Sequence, residues 1–234
     1  MYYRGLSLRL EREYYVIAVD YSDPPLLWPL VFHEIGHCWL SVRDDVDRIC
    51  EQSIDKIRSD ISLKTVHRRL EEALCDVIAT YLIGPAYPYA FLAKLWALFR
   101  GAPHPDYPSN SFRLECMART LDSLGLSDLG NELGKIRDEK FNEAWEDEDI
   151  TPLVDDILTV TSDLPKLVSS NILNQTKNII KDSKTSGDLP AIFLSPWLFI
   201  DEVEHDKINT QLRRVSNSLY TLLERWSKSS NSTA

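Results

Sequence analysis

The chain of 234 residues predicts an α+β fold in which a small N-terminal antiparallel sheet is followed by helices. Two observations favour this fold class. Leu6, Leu8 and Leu10 alternate with polar residues, and a β-branched and aromatic run follows over 14–19, which together indicate two paired strands. From residue 26 onward, apolar residues recur at helical spacing.

The helices can be located from their apolar stripes and from the residues that begin and end them. A turn with two prolines over 22–25 precedes the first helix, and Gly84 ends the third. The predicted helices lie at 26–42, 44–59, 63–83, 89–100 and 112–124. A proline-rich loop is expected over 101–111. We expect two regions, a compact domain over 1–125 and a helical C-terminal region over 126–234 with a Ser-rich tail that frays.

The balance of charge bears on the partners. The chain has 26 Lys and Arg residues against 36 Asp and Glu residues, a net charge of −10. A surface this acidic repels phosphate backbones and anionic lipids, so we expect no nucleic-acid partner and no membrane partner. The stretch 77–99, with Lys94 as its only charge, is long enough to span a bilayer. Gly84, Pro85 and Pro88 interrupt it, which favours two buried elements joined by a turn.

The cysteine content indicates the compartment. Four cysteines without C-x-x-C spacing are too few and too scattered for a disulfide framework. No basic-then-apolar leader is visible at the N-terminus. We therefore expect a reduced, cytoplasmic protein.

The stretch from His33 to His37 carries the most specific chemistry. Residues four apart on a helix share a face, so His33 and His37 can bind one metal ion, and Glu34 can hold the water that the metal activates. Gly36 is unfavourable in a helix interior by about 1 kcal/mol relative to Ala, so we expect another element to pack closely against it. An ordinary buried helix can also carry two histidines, and a second half of the site is needed to decide.

The predicted helix over 63–83 supplies that second half. A catalytic zinc site needs a third protein ligand and an open position for water. Glu72 and Asp76 are four residues apart in an apolar helix, where two acids are costly to bury unless they are paired or bind metal. Glu72 as a ligand and Asp76 as the hydrogen-bond acceptor of a ligand histidine would satisfy both. Glu71 is the ligand instead if the helix is rotated.

The sequence HEIGH at 33–37 followed by E-x-x-x-D at 72–76 resembles the gluzincin branch of zinc metallopeptidases, and in particular small prokaryotic gluzincins of the ImmA/IrrE type. The resemblance covers at most residues 14–113. It implies a Zn²⁺ site with His33, His37 and Glu72 as ligands, Glu34 as the general base, and Asp76 as the hydrogen-bond partner of a ligand.

A second, shorter pattern is similar to an element of HtpX-type peptidases. It consists of His104 and Pro105 followed by Arg113. His104 would stabilise the oxyanion of a tetrahedral intermediate, or else it is a solvent-exposed histidine of a proline-rich turn. Arg113 would support the site by fixing that loop or a substrate carboxylate, or else it lies on the surface. Cys38 and Cys75 adjoin the site in sequence and are expected to be core residues.

Two functions are consistent with these residues. The first is a zinc-dependent peptidase that acts on a protein or peptide substrate, with Glu34 as the general base. The second is a regulatory or interaction module that keeps zinc on the same fold and is inert alone or gated by a regulatory protein partner. Glu34 favours the first, because a purely structural zinc site is usually closed by four protein ligands.

Overall fold

The computed structural model describes residues 9–11, 14–16, 25–41, 43–52, 62–98, 107–141 and 151–162. Within these ranges the chain forms a short hairpin, β1 (Arg9–Glu11) and β2 (Tyr14–Val16), and seven α-helices. The helices are α1 (Val31–Leu40), α2 (Asp45–Gln52), α3 (Leu63–Ile83), α4 (Ala86–Leu98), α5 (Asn110–Ser123), α6 (Ser127–Lys140) and α7 (Val154–Val160). Two 3₁₀ segments, Pro25–Leu30 and Thr151–Leu153, lead into α1 and α7.

The predicted α+β fold is wrong, because the described part of the chain is mostly helical. Its strand content is the hairpin alone, with three residues on each strand and Leu10 opposite Tyr15. A two-stranded hairpin is marginal by itself and does not make a layer of a fold. The core of the described residues is instead made by the helices and the turns between them. A period of two over a few residues indicates a strand but does not determine how far its pairing extends.

Helix α3 lies at the centre of the fold and has the bounds that the sequence predicts. Its first turn is capped by Ser62, whose side-chain oxygen accepts a hydrogen bond from the backbone N–H of Thr65 at 3.1 Å. It ends at Gly84, whose φ of 62° is readily adopted only by glycine. Helices α1, α2, α4, α5 and α7 all contact it. Its C-terminal half is almost entirely buried, so this helix fixes the position of the residues it carries.

The other helices depart from their predicted bounds for local reasons. The predicted helix over 26–42 begins as a 3₁₀ segment, in which Pro29 lacks the N–H of an α-helical hydrogen bond. Helix α4 begins three residues before its predicted start, and Pro88 lies in its first turn, where an N–H would have no partner within the helix. Helix α5 is capped by Ser109, which accepts from the N–H of Phe112 at 3.0 Å.

Two further expectations concern the ends of the described ranges. The predicted boundary between residues 125 and 126 falls in the turn between α5 and α6, where Gly125 has a φ of 75°. The expected extension of α2 over 53–59, most of the loop over 101–111, and the chain after 162 lie outside the described residues. Among the residues that the structure describes, every helix is too short or too polar to cross a lipid bilayer.

Candidate metal centre

Helices α1 and α3 bring the predicted histidines and acids together. His33 lies opposite Asp76, with Nδ1 and Oδ1 2.8 Å apart, and His37 lies opposite Glu71, with Nδ1 and Oε1 3.0 Å apart. The order of partners is reversed along α3, so the two helices are antiparallel. Close approach is possible because Gly36 lies directly against Cys75, which confirms the close packing expected at this glycine.

The second nitrogen of each imidazole faces the same carboxylate. His33 Nε2 is 3.0 Å from Glu72 Oε2, and His37 Nε2 is 3.6 Å from Glu72 Oε1. The two rings are nearly perpendicular, with centroids 5.0 Å apart. Both Nε2 atoms therefore lie beside one carboxylate, each nearest a different oxygen atom.

The spacing of these atoms leaves room for a metal ion. With zinc–ligand bonds of about 2.0 to 2.1 Å, two ligand atoms of a tetrahedral site are about 3.3 Å apart. The observed separations of 3.0 Å and 3.6 Å bracket this value. Glu71 contacts Nδ1 of His37, whereas Glu72 faces Nε2, the nitrogen that would bind a metal. This favours Glu72 over Glu71 as the third ligand.

The tautomer of His33 supports the same interpretation. The ionised Asp76 can only accept, so His33 Nδ1 must donate its proton to Asp76. The lone pair of Nε2 in the neutral ring then points at the Glu72 carboxylate, and two acceptors 3.0 Å apart require a cation between them. Burial acts to lower the pKa of His33, but the hydrogen bonds to Asp76 and Glu72 outweigh it and raise the pKa to about 9. With a pKa of about 9, His33 keeps the proton on Nε2 at neutral pH.

Asp76 is held by more than the histidine. Its side chain is completely buried and accepts from the hydroxyl of Tyr87 as well as from His33. The Arg113 guanidinium binds it in a bidentate manner, with Nε at 2.5 Å from Oδ2 and Nη2 at 2.8 Å from Oδ1. Burial would raise the pKa of Asp76, but Arg113 and His33 hold it well below its usual value. Asp76 therefore stays ionised and fixed in orientation.

Sequence reasoning only partly anticipated this support. Arg113, which was expected to fix a loop or a substrate carboxylate, or to lie on the surface, instead binds Asp76 and packs over the ring of Phe91, 4.6 Å from its centroid. Tyr87 was not predicted as a site residue. It is buried and stacks parallel to His33. A tyrosine in an apolar helix indicates packing as readily as hydrogen bonding, so its sequence context offered no specific signal.

Cys75 provides a second possible ligand. The ligand atoms of His33, His37 and Cys75 all lie within 4.8 Å of one another, so this group could also hold a metal ion. Cys75 is completely buried, and burial together with the neighbouring acids raises the pKa of its thiol well above the usual value. Metal binding needs a thiolate, whereas Glu72 offers a carboxylate that already contacts both histidines. Cys75 and Glu72 are therefore both candidates for the third ligand.

The remaining predicted residues lie beside this centre or outside the described ranges. Glu34 follows His33 on α1 and is partly exposed. His104 falls in the segment 99–106, which the structure does not describe. Comparisons with family models, with curated proteins and with solved structures find no match to this chain. The gluzincin resemblance therefore rests on the motif residues alone.

Proposed function

We propose that this protein is a zinc-dependent peptidase whose ligands are His33, His37 and Glu72. One observation carries the proposal. The Nε2 atoms of both histidines face the carboxylate of Glu72, while each Nδ1 is bound to a different acid. Acids that accept a hydrogen bond from the other ring nitrogen in this way fix the tautomer and orientation of metal-binding histidines. The free thiol state of all four cysteines fits the expected cytoplasmic location.

The chemistry follows from the residues around the metal. A zinc ion held by His33, His37 and Glu72 would polarise a carbonyl group and lower the pKa of a bound water to about 7. Glu34 accepts a proton from the attacking water as the new bond forms between the water oxygen and the carbonyl carbon. Glu34 then passes this proton to the amide nitrogen as the carbon–nitrogen bond breaks. A carboxylate and an amine result, and no oxidant or reductant is required.

The supporting residues keep the ligands ready for the metal. The buried, ionised Asp76 holds the proton of His33 on Nδ1 and leaves Nε2 as the electron-pair donor. Arg113 and Tyr87 prevent Asp76 from turning away. Glu71 contacts Nδ1 of His37 as Asp76 contacts Nδ1 of His33, but from a more exposed position.

The alternative function is a regulatory or interaction module that retains the metal, and Cys75 decides between the two. Three side-chain ligands leave a position open for water, as in catalytic zinc sites, whereas four close the site, as in structural ones. A thiolate from Cys75 next to His33 and His37 would supply the fourth ligand. An open site therefore favours the peptidase, and a closed one favours the module.

Metal content of purified variants tests the ligand set. We expect about one zinc per chain in the wild type and in Cys75→Ser, and much less in Glu72→Gln, because loss of one of three ligands weakens binding strongly. Substitution with Co²⁺ in the wild type should give no thiolate charge-transfer absorption. Loss of zinc in Cys75→Ser, with a thiolate band in the wild type, would instead indicate the closed site.

Digestion of a mixed peptide library, followed by mass spectrometry, tests the reaction. Glu34→Gln should fold, keep its zinc and lose cleavage by about 10² to 10⁴-fold, because a general base contributes that much. Wild-type turnover by Glu34→Gln would contradict the mechanism. A zinc-loaded wild type that cleaves nothing would favour the regulatory module.

A further inference from the structure

Lys94 is the only charged residue of helix α4 and lies on the face of that helix that reaches the metal centre. Tyr87, Phe91 and Lys94 are four and three residues apart, so they share this face. The Tyr87 hydroxyl contacts His33 Nδ1 at 3.2 Å, and the Phe91 ring lies against Arg113. Lys94 continues the same stripe by one further turn.

The charges around Lys94 belong to the site. It interacts electrostatically with Arg113 and with three carboxylates, of which Glu34 has the largest effect and Asp76 and Glu72 follow. Its side chain is only partly exposed, and burial and Arg113 both lower its pKa. A cation so placed in an apolar helix is unfavourable unless an anionic group nearby compensates it.

A charge count shows what Lys94 contributes. The carboxylates of the centre are Glu34, Glu71, Glu72 and Asp76, and its basic side chains besides the histidines are Arg113 and Lys94. With neutral histidines, these groups and one divalent cation sum to zero. Without Lys94 the site would be negative before any charge developed on a substrate, and like charge would oppose the reaction.

We propose that Lys94 contacts the substrate and that its ammonium group stabilises the negative charge that develops on the carbonyl oxygen of the scissile bond. This role rests on the proposed peptidase function. Lys94 belongs to α4, so this role does not depend on His104. A preorganised charge at the developing oxyanion acts mainly in the transition state.

Three variants test the proposal: Lys94→Met, Lys94→Arg and, as a control, Lys135→Met on the exposed surface of α6. Lys94→Met should keep one zinc per chain and lose about 10² to 10³-fold in kcat with little change in KM, as when an oxyanion donor is removed. Lys94→Arg should recover most of this loss, and Lys135→Met should match the wild type. If the role of Lys94 were merely structural, Lys94→Met would instead lower the zinc content and the thermal stability.

Binding of inorganic phosphate gives a readout that does not depend on turnover. The Kd of phosphate for the zinc-loaded protein should rise about tenfold in Lys94→Met, because one charge contact is lost, and stay near the wild-type value in Lys94→Arg. Equal phosphate affinity in wild type and Lys94→Met, or unchanged kcat, would overturn the role of Lys94. Absence of cleavage by the zinc-loaded wild type would count against the peptidase function itself. The phosphate measurement would then test separately whether Lys94 binds an anion at the site.

Discussion

A Cβ atom added to Gly36 would lie 2.8 Å from the Cα of Cys75 and 3.1 Å from its Sγ. The nearest atom belongs to the backbone of α3, so no side-chain rotation can relieve the overlap. Because His33 and His37 flank Gly36 on α1, this contact sets the distance between the histidines and the acids of α3. The glycine of the HEIGH sequence is thus part of the geometry of the metal centre.

Gly36→Ala should destabilise the protein. In an unobstructed helix, alanine is favoured over glycine by about 1 kcal/mol. Here the added methyl group must push α1 away from α3, and overpacking of this kind costs about 1 to 3 kcal/mol. We expect a lower free energy of unfolding in urea and a weaker zinc affinity in competition with a chelator, because both histidines move away from Glu72.

Gly134→Ala is the matched control. Gly134 lies within α6, and an added Cβ there would meet no atom within 4 Å. This variant should be more stable than the wild type by about 0.5 to 1 kcal/mol, with unchanged zinc affinity. Similar stabilisation by Gly36→Ala would mean that the approach of α1 to α3 is not limited at this point.

Local periodicity is enough to predict which residues of a helix share one face. The i, i+4 spacing places His33 with His37, and Glu72 with Asp76, on single faces, and the bounds of α3 follow from its apolar run and Gly84. The same spacing does not decide between Glu71 and Glu72 as the ligand, since adjacent residues differ by about 100° around a helix and the rotation of α3 is not given by its sequence. In the structure, α3 is rotated so that Glu72 lies beside both Nε2 atoms and Glu71 beside Nδ1 of His37.

Contacts between distant segments could not be predicted in this way. Tyr87 reaches Asp76 from another helix, and Arg113 lies 37 residues from Asp76 in sequence. Both depend on how α4 and α5 pack around α3, which periodicity does not specify. The α+β prediction failed for a related reason, because a few alternating residues near Leu10 do not specify how far a strand extends, and in the described part of the chain the pairing covers three residues per strand.

Arg113→Met should cost far more stability than the loss of an exposed ion pair. It would leave the completely buried carboxylate of Asp76 without its cation, and breaking a buried pair in this way costs about 3 to 5 kcal/mol. Zinc affinity should also fall about 10 to 100-fold, because Asp76 orients a ligand histidine. Urea unfolding and chelator competition measure the two effects.

Arg119→Met provides the comparison. Arg119 pairs with Asp155, whose side chain is 77% exposed, and loss of such a pair costs at most about 1 kcal/mol. The same substitution at both positions therefore isolates the effect of burial. If both variants lost equally little stability, the charge of Asp76 would have to be compensated by His33 and Tyr87 without Arg113.

The metal-free protein should lose stability as the pH rises from 6.5 to 9. The pKa of His33 is raised from 6.5 to about 9 in the folded chain, so the folded state keeps a proton that the unfolded state releases over this interval. Its contribution is complete below pH 6.5, declines through the interval and is absent above pH 9, for a total of up to about 3 kcal/mol.

Urea unfolding in the presence of a chelator at pH 6, 7.5 and 9 would measure this contribution. His33→Gln, which has no such proton, should show a smaller decline, and equal declines in the two proteins would contradict this assignment. A zinc ion held by His33 would compete with this proton for Nε2, so zinc affinity should rise with pH over the same interval.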